Sequence, residues 1–172
     1  MSTKQAADAV DVILGQWHQE RPDLDVSPMG PIGRIRRCAL LLQRKMDVVF
    51  TEYGMSNWEF DVLATLRRSG PPYCLAPTAL FSSLMISSGT MTHRLKGLEA
   101  SGWIERIPSS SDARSMLVQL SDAGFALIDQ AVTAHVANEH AMLAAITPEA
   151  LLELDARMAE LLGALEGNAE GR

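Results

Sequence analysis

Apolar positions recur every three or four residues along most of this chain, and that period predicts a largely helical protein. Residues 4–19 carry Ala7, Val10, Ile13, Leu14 and Trp17 at helical spacing. Arg21-Pro22 ends that helix, because the residue before a proline is pushed out of the helical region. The stretch Pro22–Pro31 is dense in proline and turn formers and reads as a connection. A long helix follows over residues 32–52, with Ile35, Cys38, Ala39, Leu42, Met46, Val49 and Phe50 as its apolar face. Tyr53-Gly54 stops it, with glycine at C′. Ser56 or Asn57 caps a helix over 58–68 that turns Phe60, Leu63, Ala64 and Leu66 inward.

Beyond the break at Ser69-Gly70-Pro71-Pro72 the elements shorten. A helix over 78–84, a tight turn at Met85-Ile86 and a helix over 88–101 capped by Ser87 follow in order. Gly102 closes the last of these. Trp103–Ile107 and Ser115–Leu120 read as two short strands joined by the polar loop 108–114, a β-hairpin with a long tip. Ser121 caps a long helix carrying Phe125, Ile128, Val132, Val136 and Met142. Thr147-Pro148-Glu149 opens a final one, with cap, proline at N1 and acid in the first turn. Leu151, Leu154, Met158, Leu161, Leu162 and Leu165 line it, and residues 167–172 read as a frayed tail. The expected class is mainly α with a small β-hairpin wing, a winged helix-turn-helix between long helices. It divides into N-terminal helices (1–53), the winged unit (54–120) and C-terminal helices (121–172).

Composition changes this picture little. The chain has 172 residues, enough for a real core, and 47% apolar residues. No apolar run reaches bilayer length and the N-terminus lacks a signal-peptide h-region, so the cytoplasm is the expected location. Net charge is −6, which argues superficially against nucleic acid. Its distribution removes the objection. From Leu120 onward Arg157 and Arg172 are the only bases among many acids, which leaves the remainder near neutral. A local basic footprint, rather than a basic total, is what DNA requires.

The second helix of the pair carries the candidate chemistry. At about 100° per residue, Met91, Leu95 and Leu98 form a stripe that must face the core. Gly89, His93 and Lys96 fall opposite, with Thr92 beside them and Ser88 and Thr90 in the first turn. A small, polar and basic face enters a major groove without steric cost, and hydroxyls there donate to phosphates or bases. The expected DNA contacts are therefore Thr78, Ser87, Ser88, Thr90, Thr92, His93 and Lys96. The hairpin tip adds Arg114, suited to a narrow minor groove, with Asp112 two residues earlier able to hold it.

This order of elements resembles the MarR family of bacterial regulators. The resembling run extends from Leu84 to Arg106, continues as Ser111-Asp-Ala-Arg-Ser115 and Val118–Gly124, and the likeness covers about residues 32–165. It implies an obligate homodimer with interleaved terminal helices, supplied by 35–50 and 125–165, reading a palindromic operator as double-stranded DNA. Trp17, Glu20–Met29 and Trp58–Ala64 followed by Arg67–Tyr73 are similar to the urate-responsive, PecS-like branch. In that branch a tryptophan, an aspartate and an arginine bind a planar anionic purine, and Trp17, Asp61 and Arg94 match them. Arginine offers a planar fork to an oxyanion and tryptophan a stacking surface. The wheel places Arg94 beside the core stripe rather than on the groove-facing side. Residue by residue, the plainer roles stay open: Trp17 packs, Asp61 caps or pairs with Arg67 or Arg68, Arg94 touches a phosphate. His93 and Lys96 depart from the branch, which carries asparagine and an acid there.

The expected function is a ligand-responsive regulator, a repressor released by a planar anion such as urate or a phenolic compound. A thiol-based redox regulator of the same fold, acting through Cys38 near Arg36 and Arg37, is the alternative. Cys38 itself reads first as a small buried apolar residue. No catalytic or metal-ligand pattern appears: His18, His93, His135 and His140 lie in separate helical contexts, and neither Cys38 nor Cys74 has a CxxC partner. No cofactor or metal and no enzymatic activity is expected.

Overall fold

Asp8 caps the first helix, which starts five residues later than the apolar pattern alone suggests. Its carboxylate accepts from the backbone N–H groups of Val10 and Asp11, and Asp11 bonds back to the Asp8 N–H, so the helix α1 runs Ala9–Glu20. The computed structural model describes residues 6–84, 88–109 and 115–167, with residues 88–92 as backbone. α2 spans Met29–Glu52 and starts three residues early. Pro31 falls in its first turn, where no N–H partner is lost, so proline does not exclude the helix there. Gly54, at φ 68°, ends the chain's path beyond α2 in the left-handed region.

α3 (Asn57–Arg68) is locked at its start by Glu59, whose carboxylate accepts from both the N–H and the hydroxyl of Ser56, 2.7 Å each. α4 (Pro77–Leu84) and α5 (Ser88–Ala100) form the helix pair. β2 (Ile104–Pro108) and β3 (Met116–Leu120) form the hairpin, in register from Ile104↔Leu120 to Pro108↔Met116. A strand not expected from the sequence, β1 (Cys74–Leu75), pairs antiparallel with Gln119 and Val118 and makes a three-stranded sheet in the order β1-β3-β2. Two residues are too few for an alternating pattern to register. α6 (Asp122–Leu143) is capped by Ser121, whose hydroxyl accepts from Gly124 and donates to the Gly102 carbonyl, and α7 (Pro148–Gly167) closes the chain.

The core lies in the winged unit. Phe50, Phe60, Leu63, Leu66, Leu80, Leu95, Leu98, Ile104, Val118 and Ile128 bring α2, α3, α4, α5, the sheet and α6 together. The flanking helices differ sharply. α7 contributes no buried residue, and Leu152, Leu162 and Leu165 are more than half exposed. α2 buries Val49 and Phe50 at its end, but Leu40, Leu41 and Leu42 stand in solvent. Cys38 corrects an expectation: it is exposed rather than buried. The N-terminal part of α2 projects past the core, and within one chain too little covers its expected apolar face. Trp17 and Ile13 on α1 are exposed for the same reason, and only Val10 of that helix is buried. Among the described residues no helix is long and apolar enough to cross a membrane.

Candidate nucleic-acid interface and effector crevice

Two of the three residues of the stripe expected on α5 lie where the wheel predicts, and the side chain of Met91 falls outside the described residues. Leu95 and Leu98 are buried, at 2% and 0% exposure, while His93 and Lys96 are exposed on the other side. Thr78, at the start of α4, is exposed as well. Ser88, Thr90 and Thr92 lie on the α5 backbone. Their side chains, with Ser87, Asp112 and Arg114, fall outside the described residues. The two strands are paired up to Pro108↔Met116, and Ser109 N–H donates to the Ser115 carbonyl at 2.8 Å, so the base of the hairpin is fixed.

Arg106 joins that base to α5. Its Nε lies 3.3 Å from the Glu99 carboxylate, but Nε and Nη2 are buried without a hydrogen-bond acceptor. Sequence reading gave this residue no role. Strand alternation contains the signal: Arg106 is two residues from the buried Ile104 and shares its face.

Arg94 sits between the exposed face and the core stripe and is half-buried. Its guanidinium carbon lies over the Trp58 ring, 5.1 Å from the centroid. Trp58 and Asp61 are three apart on α3 and share one face of that helix. Burial pushes the Asp61 carboxyl above the ordinary aspartate range, and the nearby charges of His135 and Arg68 pull the other way. Neither arginine of its own helix bonds to it. Arg67 is paired with Asp129 of α6 at 2.9 Å and lies over Phe125 and Tyr73, and Arg68 donates to the Thr65 hydroxyl at 3.2 Å.

His135 enters from α6, where no sequence motif singles it out. Its ring packs on Phe50 and Phe60 at 5.3 and 4.8 Å between centroids, and its Nε2 is 3.2 Å from Glu139. Its Nδ1 is buried with no hydrogen-bond partner. A five-residue spacing to His140 hid it, because the relevant partners come from α2 and α3.

Trp17 stands apart. It borders an open hollow of about 460 Å³ with Gln16, Gln19 and Glu20, and its ring makes no ring or cation contact among the described residues. α1 is fixed to α2 instead, by Arg34 with Asp8 and Asp11 and by Val10 against Gly33. The structure thus brings Arg94 onto Trp58, keeps Asp61 one turn further along α3, and leaves Trp17 on a separate surface of the single chain.

Residues 55–116 match the MarR family. The chain is 47% identical over 157 residues to the HTH-type transcriptional regulator PecS of Dickeya dadantii, covering 91% of this chain and 92% of that protein. Among solved structures it is similar to AbsC of Streptomyces coelicolor, a MarR family transcriptional regulator, with TM-score 0.74 and 19% identity over 84% of this chain and 97% of that one. It is similar also to Sco3205 of the same organism, solved in complex with DNA, with TM-score 0.71 and 24% identity over 83% and 94%. At these identities the two structures establish a shared fold.

Proposed function

The chain belongs to the MarR family of transcriptional regulators, and from that premise we propose that it binds operator DNA as a homodimer and releases it on binding a planar anion. The observation that carries the DNA reading is the division of α5. Leu95 and Leu98 are sunk in the core while His93 and Lys96 face outward from the same helix. Such a helix is held rigidly and offers a basic edge to a groove. Ser87, Ser88, Thr90, Thr92 and Thr78 supply hydroxyls around it, and Arg114, steadied by Asp112, reaches the minor groove. Solution of the Sco3205 structure with DNA supports the same use of the fold here.

The homodimer accounts for the uncovered apolar helices. Leu161, Leu162 and Leu165 of α7 and Leu40–Leu42 of α2 are exposed in one copy, and a patch of this kind marks an interaction surface. The likeness to PecS, with Trp17, Asp61 and Arg94, supports a urate-like or phenolic effector. Asp61 and Arg94 offer an acceptor and an anion-binding fork, and Trp17 completes the site in the assembled dimer. Ligand on Arg94 then acts directly on α5, and a difference in affinity between two arrangements of the readers shifts the population away from DNA.

The test uses the duplex upstream of the chain's own gene. Urate should weaken binding to it, and Arg94→Ala should retain binding in the absence of urate while losing the response. Loss of DNA binding by Arg94→Ala without urate would instead make Arg94 a groove residue. Exposure of Cys38 favours one second reading, a thiol switch of the same fold. It predicts that peroxide releases DNA and that Cys38→Ser is insensitive.

A further inference from the structure

We propose that Trp58 is a positioning residue of the effector site, its indole holding the Arg94 guanidinium ready for a planar oxyanion without neutralising it. This rests on the reading of Arg94 as an effector residue. Trp58 is well placed to act as a fixed surface. It stands in the first turn of α3, beside the Ser56–Glu59 capping interaction, and its ring packs partly buried against the core. Arg94 comes from a different element, and the residue after it, Leu95, is buried, so the base of its side chain is fixed as well.

The chemistry depends on what does not meet. Arg94 forms no ion pair among the described residues, although Asp61 stands one turn along α3 from Trp58. An Arg94–Asp61 pair would use the guanidinium donors and the carboxylate acceptors together. An aromatic face attracts the cation through its quadrupole and occupies none of the N–H groups in acceptor contacts. The Arg94 donors and the Asp61 carboxylate therefore both stay available to a ligand. The complement is a flat ring that carries an oxyanion for Arg94 and an N–H donor for Asp61. A ring bearing only a carboxylate would satisfy Arg94 and leave Asp61 facing like charge. Holding the fork in place before binding also reduces the ordering cost of capture.

The experiment measures urate binding by calorimetry for the wild-type dimer, Trp58→Phe and Trp58→Leu. Trp58→Phe, which keeps a π-face, should bind within about threefold of wild type. Trp58→Leu should bind about tenfold more weakly, the size of a cation–π contact between the exposed and desolvated limits. Benzoate, a ring with a carboxylate and no donor, should bind the wild type more weakly than urate, and equal affinity would overturn the pairing with Asp61. Equal urate affinity in wild type and Trp58→Leu would overturn the proposal. Nitrogen-proton NMR of the Arg94 Nε–H in the wild type provides a readout that needs neither ligand nor the leucine variant. An upfield ring-current displacement supports the stack and an ordinary shift overturns it. Absence of urate binding in the wild type defeats the effector reading itself, and the NMR result then decides separately whether Trp58 holds Arg94.

Discussion

Gly124, in the first turn of α6, lies so close to the Trp103 carbonyl that a Cβ there would stand 1.9 Å from the oxygen. The contact fixes the start of α6 against the residue that leads into β2. Backbone cannot move aside as a side-chain tip can. Gly124→Ala should therefore cost about 2–3 kcal/mol, toward the upper end of overpacking penalties. Urea unfolding measures it, and a midpoint equal to wild type would show that the turn shifts freely.

Asp61 separates stability from function. Its folded carboxyl binds a proton more readily than the unfolded one, since burial raises its pKa above 3.8. The native state thus holds more protons in the interval above that value, and the contribution of this group to stability falls as pH rises through it. Asp61→Asn should be at least as stable as wild type at neutral pH and should lack this part of the decline. It should also lose the urate response. Melting curves from pH 4 upward check the first expectation; a destabilised variant at pH 7 would point to a hydrogen-bonding role in the fold.

Charge on α7 tests the assembly. Leu161→Glu together with Leu162→Glu places two carboxylates in a face that is solvent-exposed in one chain, so the fold of the winged unit should persist. The proposed dimer should separate, and operator affinity should fall by at least tenfold as two half-sites cease to be read together. Light scattering gives the mass. A dimer that survives both substitutions would assign the interface elsewhere.

Much of this was legible in the sequence, for identifiable reasons. The α5 stripe follows from helical period alone, and Leu95 and Leu98 are buried where it put them. Caps at Ser56 and Ser121 also reveal themselves locally. Cys38 misled because an apolar face predicts burial without saying whether the cover comes from the same chain. β1 was invisible because two residues carry no period. The contacts of His135 with Phe60 and of Trp58 with Arg94 were not legible, since the partners come from other elements and a one-dimensional pattern does not record such meetings.

Arg114→Ala provides the wing test. It should weaken operator binding by more than fivefold while the dimer remains intact by light scattering, since the residue lies in sequence between β2 and β3 rather than in the flanking helices. Unchanged affinity would remove the wing from the DNA reading.

The most direct test of the central claim is the salt dependence of operator binding for wild type and Lys96→Ala, followed by fluorescence anisotropy. Each phosphate contact contributes a released counterion to the slope of log affinity against log salt. If the exposed edge of α5 lies on DNA, Lys96→Ala binds more weakly and its slope is shallower by about one. Identical affinity and slope in the two proteins would contradict the account.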